Sequence, residues 1–183
     1  MLRLRPYKES DASTIISWCG DEIFYYKWSA GMFGEYPITE EKFKKVMEMM
    51  PFVAFDESGI VGFFTMRNPG VSFDEIRFGF IILDPKKRGM GYGKKMLQLG
   101  LKFAFDIYGA SKVSLGVFEN NESAYQCYKA VGFQDKNSEE NNTYKILGED
   151  WTYLELAVEK GLELELEKDL EPDVKRDAHI HIQ

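Results

Sequence analysis

The chain has 183 residues, with 23 Lys and Arg against 30 Asp and Glu, a formal net charge of −7, two His and two Cys. That length fits one domain with a short appendage, and 44% hydrophobic with 15% aromatic residues excludes wholesale disorder and removes any need for disulfides to complete a core. The longest apolar run, Phe78 to Leu83, falls far short of the ~20 residues of a spanning helix, and an acidic balance argues against binding a phosphate backbone, so neither a membrane nor a nucleic acid is an expected partner.

From the amino terminus, Leu2 to Arg5 alternates apolar and charged residues as a short strand does. Ser10 or Asp11 caps a helix through Gly20, with Ala12, Ile15, Ile16 and Cys19 on one stripe. Residues 21–38 read as an irregular aromatic segment in which Phe24, Tyr25, Tyr26, Trp28, Phe33 and Tyr36 sit among Gly31, Gly34 and Pro37. Thr39 opens a second helix with Phe43, Val46, Met47 and Met50 as its apolar face, and Pro51 stops it. Residues 52–55 and 60–67 form a hairpin across 56–59, and a longer strand follows from about Ser72 to Leu83.

Lys94 to Tyr108 is the clearest helix: Leu97, Leu101, Ala104, Phe105 and Tyr108 face one way, Lys94, Lys95, Gln98, Lys102 and Asp106 the other, and Gly109 ends it. A strand at 113–118, a helix at 122–131 closed by Gly132, and strands at 143–147 and 151–158 complete the order β-α-α-β-β-β-α-β-α-β-β, an α/β (α+β) arrangement. Cys19 and Cys127 show no metal-ligand spacing and read as free packed thiols, and the expected setting is cytoplasmic, since no apolar signal segment stands at Met1 to Pro6.

Between the long strand and the clearest helix, Gly89, Gly91 and Gly93 alternate immediately before the helix start. Alternating glycines let the backbone come close to a ligand, and a helix N-terminus favours an anion, so the loop suits a phosphate. Two familiar phosphate loops fail on named residues. A dinucleotide fingerprint beginning at Gly89 needs glycine where Lys94 stands, and a P-loop ending in Gly93-Lys94 needs glycine at Arg88 and a hydroxyl at Lys95. The bland alternative is a flexible turn flanked by solvated lysines.

Arg88 to Gly93 fits R-x-x-G-x-G, and Val117 to Phe133 fits V-x-x-x-N-x-x-A-x-x-x-Y-x-x-x-G-F. Together, in this order, the two blocks resemble the GNAT superfamily of acyl-CoA N-acyltransferases over residues 1–158. That resemblance implies a single mixed, mainly antiparallel sheet flanked by helices, and acetyl-CoA as co-substrate without a metal. It also implies transfer of an acetyl group to a primary amine of a small molecule or a protein N-terminus. A catalytically silent acyl-CoA sensor or scaffold of the same fold is the rival reading.

By the same resemblance, Arg88, Gly89, Met90, Gly91, Tyr92, Gly93 and Lys94 bind the cofactor's pyrophosphate, and the backbone of Ile81, Ile82 and Leu83 binds its pantetheine arm beside a strand that splays from its neighbour. Asn121 contacts that arm or simply caps a helix. Tyr128 protonates the departing thiolate or is a core aromatic. Some relatives carry a basic glutamate just before Val117, where this chain has Gly116. Glu75 is the nearest carboxylate on the preceding strand: it shares a face with Ile81 by parity unless a bulge resets the register, and a solvated strand-end residue is its other reading. Tyr26, Trp28 and Phe33 line an amine pocket by cation-π contact, or pack the first helices on the sheet.

The 35 residues from Glu149 onward carry eleven acidic and four basic side chains, whereas residues 1–148 balance at 19 against 19, so the whole net charge belongs to the C-terminal end. Residues 159–183 read as an acidic extension of the 1–158 domain. In it Leu162 to Glu167 alternates as an extra strand that pairs with the preceding strand or with a homodimer partner, or as a helix puts Leu162, Leu166 and Leu170 on one stripe, and the residues after Pro172 read as disordered.

Overall fold

A computed structural model of the chain describes residues 1–70, 72, 74–136 and 142–161, so the expected strand at 162–167 and the tail beyond lie outside the described residues. The strands are β1 (Arg3–Pro6), β2 (Met50–Asp56), β3 (Gly59–Arg67), β4 (Glu75–Leu83), β5 (Lys112–Phe118), β6 (Gln134–Asp135), β7 (Asn142–Ile146) and β8 (Glu149–Glu159). They form one eight-stranded sheet in the order β1-β2-β3-β4-β5-β8-β6, with β7 also paired to β8. Among the described residues only β4 and β5 pair in parallel, as a mixed sheet requires. The two-residue β6 is an addition to the expected order: two exposed polar residues carry no period to read.

The helices are α1 (Ala12–Ser17), α2 (Glu22–Ser29), α3 (Glu40–Phe43), α4 (Tyr92–Lys102) and α5 (Glu122–Val131). α1 is shorter than its stripe suggested, and Asp11 does not cap it through its side chain. That carboxylate is committed elsewhere: it accepts two hydrogen bonds from Arg5 at 2.8 Å each and one from the Lys8 N–H at 2.9 Å. α2 corrects the reading of 21–38 as irregular. Asp21 caps it by accepting the Phe24 N–H at 2.7 Å, and Ala30 closes it in the left-handed conformation. The expected second helix is one turn, α3, capped by Thr39, followed by tighter 3-10 turns over Lys44–Glu48.

Two cores flank the sheet. α4 and α5 cover one face through Leu97, Leu101 and Val131 against Phe64, Phe78, Leu115 and Val117. α1 to α3 cover the other through Ile15, Tyr25 and Phe43 against Val53, Phe63 and Ile82. Contact on the first face is close enough that a Cβ on Gly100 would lie 3.1 Å from the rings of Phe64 and Phe78. Gly100→Val is therefore expected to destabilise the fold by about 1–3 kcal/mol, read as a lower midpoint in urea at unchanged slope.

β4 is the strand that makes room for a site. It pairs with β5 only at Glu75, Ile76 and Arg77, and beyond Arg77 the two strands part. Opposite β3 it bulges: Thr65 pairs with Gly79 and Phe63 with Ile82, and Phe80 takes a positive φ of 50°. The extra residue inverts the side-chain alternation. Ile76 and Phe78 point to the α4–α5 core, but past the bulge it is Ile81 and Leu83 that pack there, while Phe80 and Ile82 join the α1–α3 core. Glu75 and Ile81 thus lie on opposite faces, contrary to their parity in an unbroken strand.

Candidate active site

The opening between β4 and β5 is a cavity of ≈ 530 Å³. Phe78 to Leu83 of β4, Gly116 and Val117 of β5, the glycine loop, α2 and α5 line it. Because β4 loses its β5 partner after Arg77, this stretch presents unpaired backbone groups to the cavity, an edge to which an extended amide chain can add. Ile81, Ile82 and Leu83 all stand in the lining, Ile82 fully buried by its side chain and available only through its backbone.

At one mouth, Gly89 and Gly91 hold left-handed φ values of 73° and 77°, and Gly91 is the N-cap residue of α4. A residue with a Cβ is strained in that conformation; glycine adopts it freely and turns the chain into α4, whose start lies at the cavity. Gly89, Gly91, Gly93 and Lys94 line it. Arg88 lines it too, but its guanidinium is held by protein: it donates to the carbonyls of Leu83 at 3.3 Å and Trp18 at 3.4 Å and lies over the Phe24 ring at 4.6 Å. It pins the loop to the end of β4. Met90 is exposed and Tyr92 points away, donating to Asp56 at 2.9 Å, so these two loop residues stand outside the lining.

Asn121 and Tyr128 stand in the same cavity. Asn121 precedes α5 without capping it through its side chain, so the capping alternative is not realised and the amide lines the cavity instead. Tyr128 is 6% exposed, and burial above all, then Cys127 and Tyr153, push its hydroxyl well above the ordinary tyrosine range. It is thereby kept protonated at any physiological pH, the state that a proton donor needs.

Glu75 is not brought to this cavity. It lines a separate pocket with Arg77, Lys112, Lys136 and Glu155, where Lys112 lies 3.4 Å and Lys136 3.9 Å from its carboxylate. Burial alone would raise its pKa, but these lysines contribute to holding it below the ordinary carboxylate value, which makes it a weaker base. The reading of Glu75 as base is corrected on both counts: it sits at the paired end of β4 and β5, and the bulge turns it from Ile81's face. Glu75→Gln is expected to leave the acid limb of any kcat profile where it is in the wild type, and a vanished limb would return Glu75 to the mechanism.

Of the aromatic trio, Trp28 lines the cavity, whereas Phe33 packs between Trp28 and Phe80 at centroid distances of 5.7 and 4.6 Å, and Tyr26 packs on Tyr25 at 5.0 Å. Phe24 and Lys27 join Trp28 in the lining, and the Lys27 ammonium donates to the Asn120 carbonyl at 2.7 Å, tying α2 to the turn before α5. These two residues escaped the sequence reading although their spacing of i, i+3 and i+4 with Trp28 is a helical stripe. The aromatic run around them, apolar on every side, hides the period.

The family model described as "Acetyltransferase (GNAT) family" matches residues 16–133. Spermine/spermidine N(1)-acetyltransferase of Bacillus subtilis (strain 168) is 32% identical over 65 residues, 36% of this chain and 43% of that protein, so the match spans less than half of that relative. Among solved structures, spermidine N-acetyltransferase from Vibrio cholerae, in complex with CoA and spermine, superposes with a TM-score of 0.74 at 19% identity, over 89% of this chain and 98% of that one. An N-acetyltransferase from Brucella melitensis superposes with a TM-score of 0.71 at 16% identity, over 93% and 83% of the two chains. At these identities the two structures establish the fold.

Proposed function

Since the chain belongs to the acetyltransferase (GNAT) family, we propose that it transfers an acetyl group from acetyl-CoA to a primary amine of a small molecule, of the polyamine class. The observation that carries this reading is the cavity at the β4/β5 parting, which joins an anion-suited helix start to a buried phenol. The polyamine class is supported by the curated relative, whose name gives spermine and spermidine.

The residues present fit acetyl-CoA. Gly89, Gly91, Gly93 and the first turn of α4 hold the pyrophosphate by N–H groups and helix dipole, with Lys94 adding charge, and the free edge of β4 from Phe78 to Leu83 holds the amide arm. The bound co-substrate supplies an activated acetyl thioester. A β4 N–H at this edge polarises the thioester carbonyl, as an oxyanion-type donor does. As the amine nitrogen bonds to the acetyl carbon and the carbon–sulfur bond breaks, Tyr128 gives its proton to the departing sulfur and the phenolate so formed takes up the proton that the nitrogen sheds, while Trp28 and Phe24 exclude water on the α2 side. The described residues lining the cavity include no carboxylate. That observation favours the second reading, an acyl-CoA sensor. The two part on one experiment, release of free CoA thiol from acetyl-CoA across a panel of primary amines. Turnover with spermidine or spermine is expected, and binding of acetyl-CoA without thiol release from any amine favours the sensor.

A further inference from the structure

Gly116 is a glycine because another side chain occupies its space. A Cβ built there would lie 1.9 Å from the hydroxyl oxygen of Tyr153 and 2.1 Å from its Cζ. Tyr153 stands on β8, one diagonal step from Gly116, which pairs with Glu155. Its hydroxyl therefore rests against the β5 backbone at Gly116, a residue that lines the cavity. The phenol is held from three directions. Phe118 and Tyr144 meet its ring edge-on at centroid distances of 5.2 and 5.6 Å, and Arg77 donates to its oxygen at 3.2 Å while also donating to Glu155 at 2.8 Å.

We propose that the Tyr153 hydroxyl binds the acceptor amine, on the face of β5 opposite Tyr128. The proposal rests on the acetyltransferase reading. A phenol oxygen has two lone pairs and one proton. Arg77 takes one lone pair, so the second accepts an N–H of the incoming amine and turns the nitrogen lone pair toward the gap between β4 and β5. Val117 faces the α4–α5 core that contains Tyr128, and its neighbour Gly116 faces the other way, so the two phenols approach the parting from its two faces. They are near enough that Tyr153 contributes to raising the Tyr128 pKa, after burial and Cys127. The carboxylate nearest Tyr153 in this network, Glu155, is spent on Arg77 at 2.8 Å and Lys136 at 3.5 Å, which leaves the hydroxyl as the acceptor group there.

Tyr153→Phe removes the oxygen and keeps the ring. With spermidine as the probe amine, the variant is expected to lose about tenfold or more in kcat/KM for the amine, the usual cost of a hydrogen bond to a charged or polar ligand. The loss should fall on the amine KM with the acetyl-CoA KM unchanged, a split that a general loosening of β8 does not produce. An active wild type whose Tyr153→Phe variant keeps the same amine kcat/KM overturns the proposal alone, as does a rise of both KM values together. A wild type that releases no thiol with any amine of the panel overturns the acetyltransferase reading, and the proposal with it.

Discussion

Replacing Tyr128 by Phe is expected to lower kcat about 100-fold while leaving the KM for acetyl-CoA near its wild-type value, because a positioned proton donor contributes about 10² to 10⁴ in rate. The ring stays: it packs on Phe133 at 6.2 Å, so the α5 face and the cavity wall persist and only the proton is lost. The pH profile follows from the sign of the shift. Burial raises the Tyr128 pKa above its ordinary value of 10.0, so the neutral, proton-giving form persists below that raised value and is lost only as pH climbs through it. An alkaline fall in wild-type kcat is thus expected only above pH 10, and it should be missing from the variant. A kcat unchanged in Tyr128→Phe at every pH removes the tyrosine from the chemistry.

Gly91→Val should instead strike the co-substrate. Gly91 caps α4 at φ 77° with open space where a Cβ would go, so the substitution meets no collision, and its cost lies in the backbone alone. A β-branched residue in the left-handed region costs roughly 1–2 kcal/mol or more, which the chain relieves by turning the loop and withdrawing the N–H groups at the helix start. The KM for acetyl-CoA is expected to rise about tenfold to 100-fold, with the amine KM little changed. Equal KM values for acetyl-CoA in the two proteins, measured at subsaturating co-substrate, would place the phosphate elsewhere.

Much of this arrangement was legible in the sequence. The α4 helix announced itself by its apolar stripe at Leu97 and Leu101, although the expected helix to Tyr108 changes to π-helical turns over Phe103–Tyr108, and Gly89-x-Gly91 by spacing before a helix start. Those signals are local, and local geometry obeys them. Glu75 failed for a nonlocal reason: whether it meets Ile81 depends on one inserted residue at Phe80, paired across to β3, and no residue type in that apolar run marks a bulge. α2 was missed because its cap, Asp21, is a short-range signal, but Phe24, Tyr25, Tyr26 and Trp28 leave no polar face for a period. Tyr153 was invisible as a site residue for a third reason. Its importance comes from the absence of a side chain at Gly116, a fact of cross-strand register that only the paired strands display.

The central claim is acetyl transfer through the β4/β5 gap, and its most direct test is to incubate the purified chain with acetyl-CoA and spermidine while following free CoA thiol and N-acetylated amine together by mass spectrometry. The two products should accumulate in equal amounts, and only when both reactants are present. Saturable binding of acetyl-CoA with neither product formed, from any primary amine supplied, would contradict it.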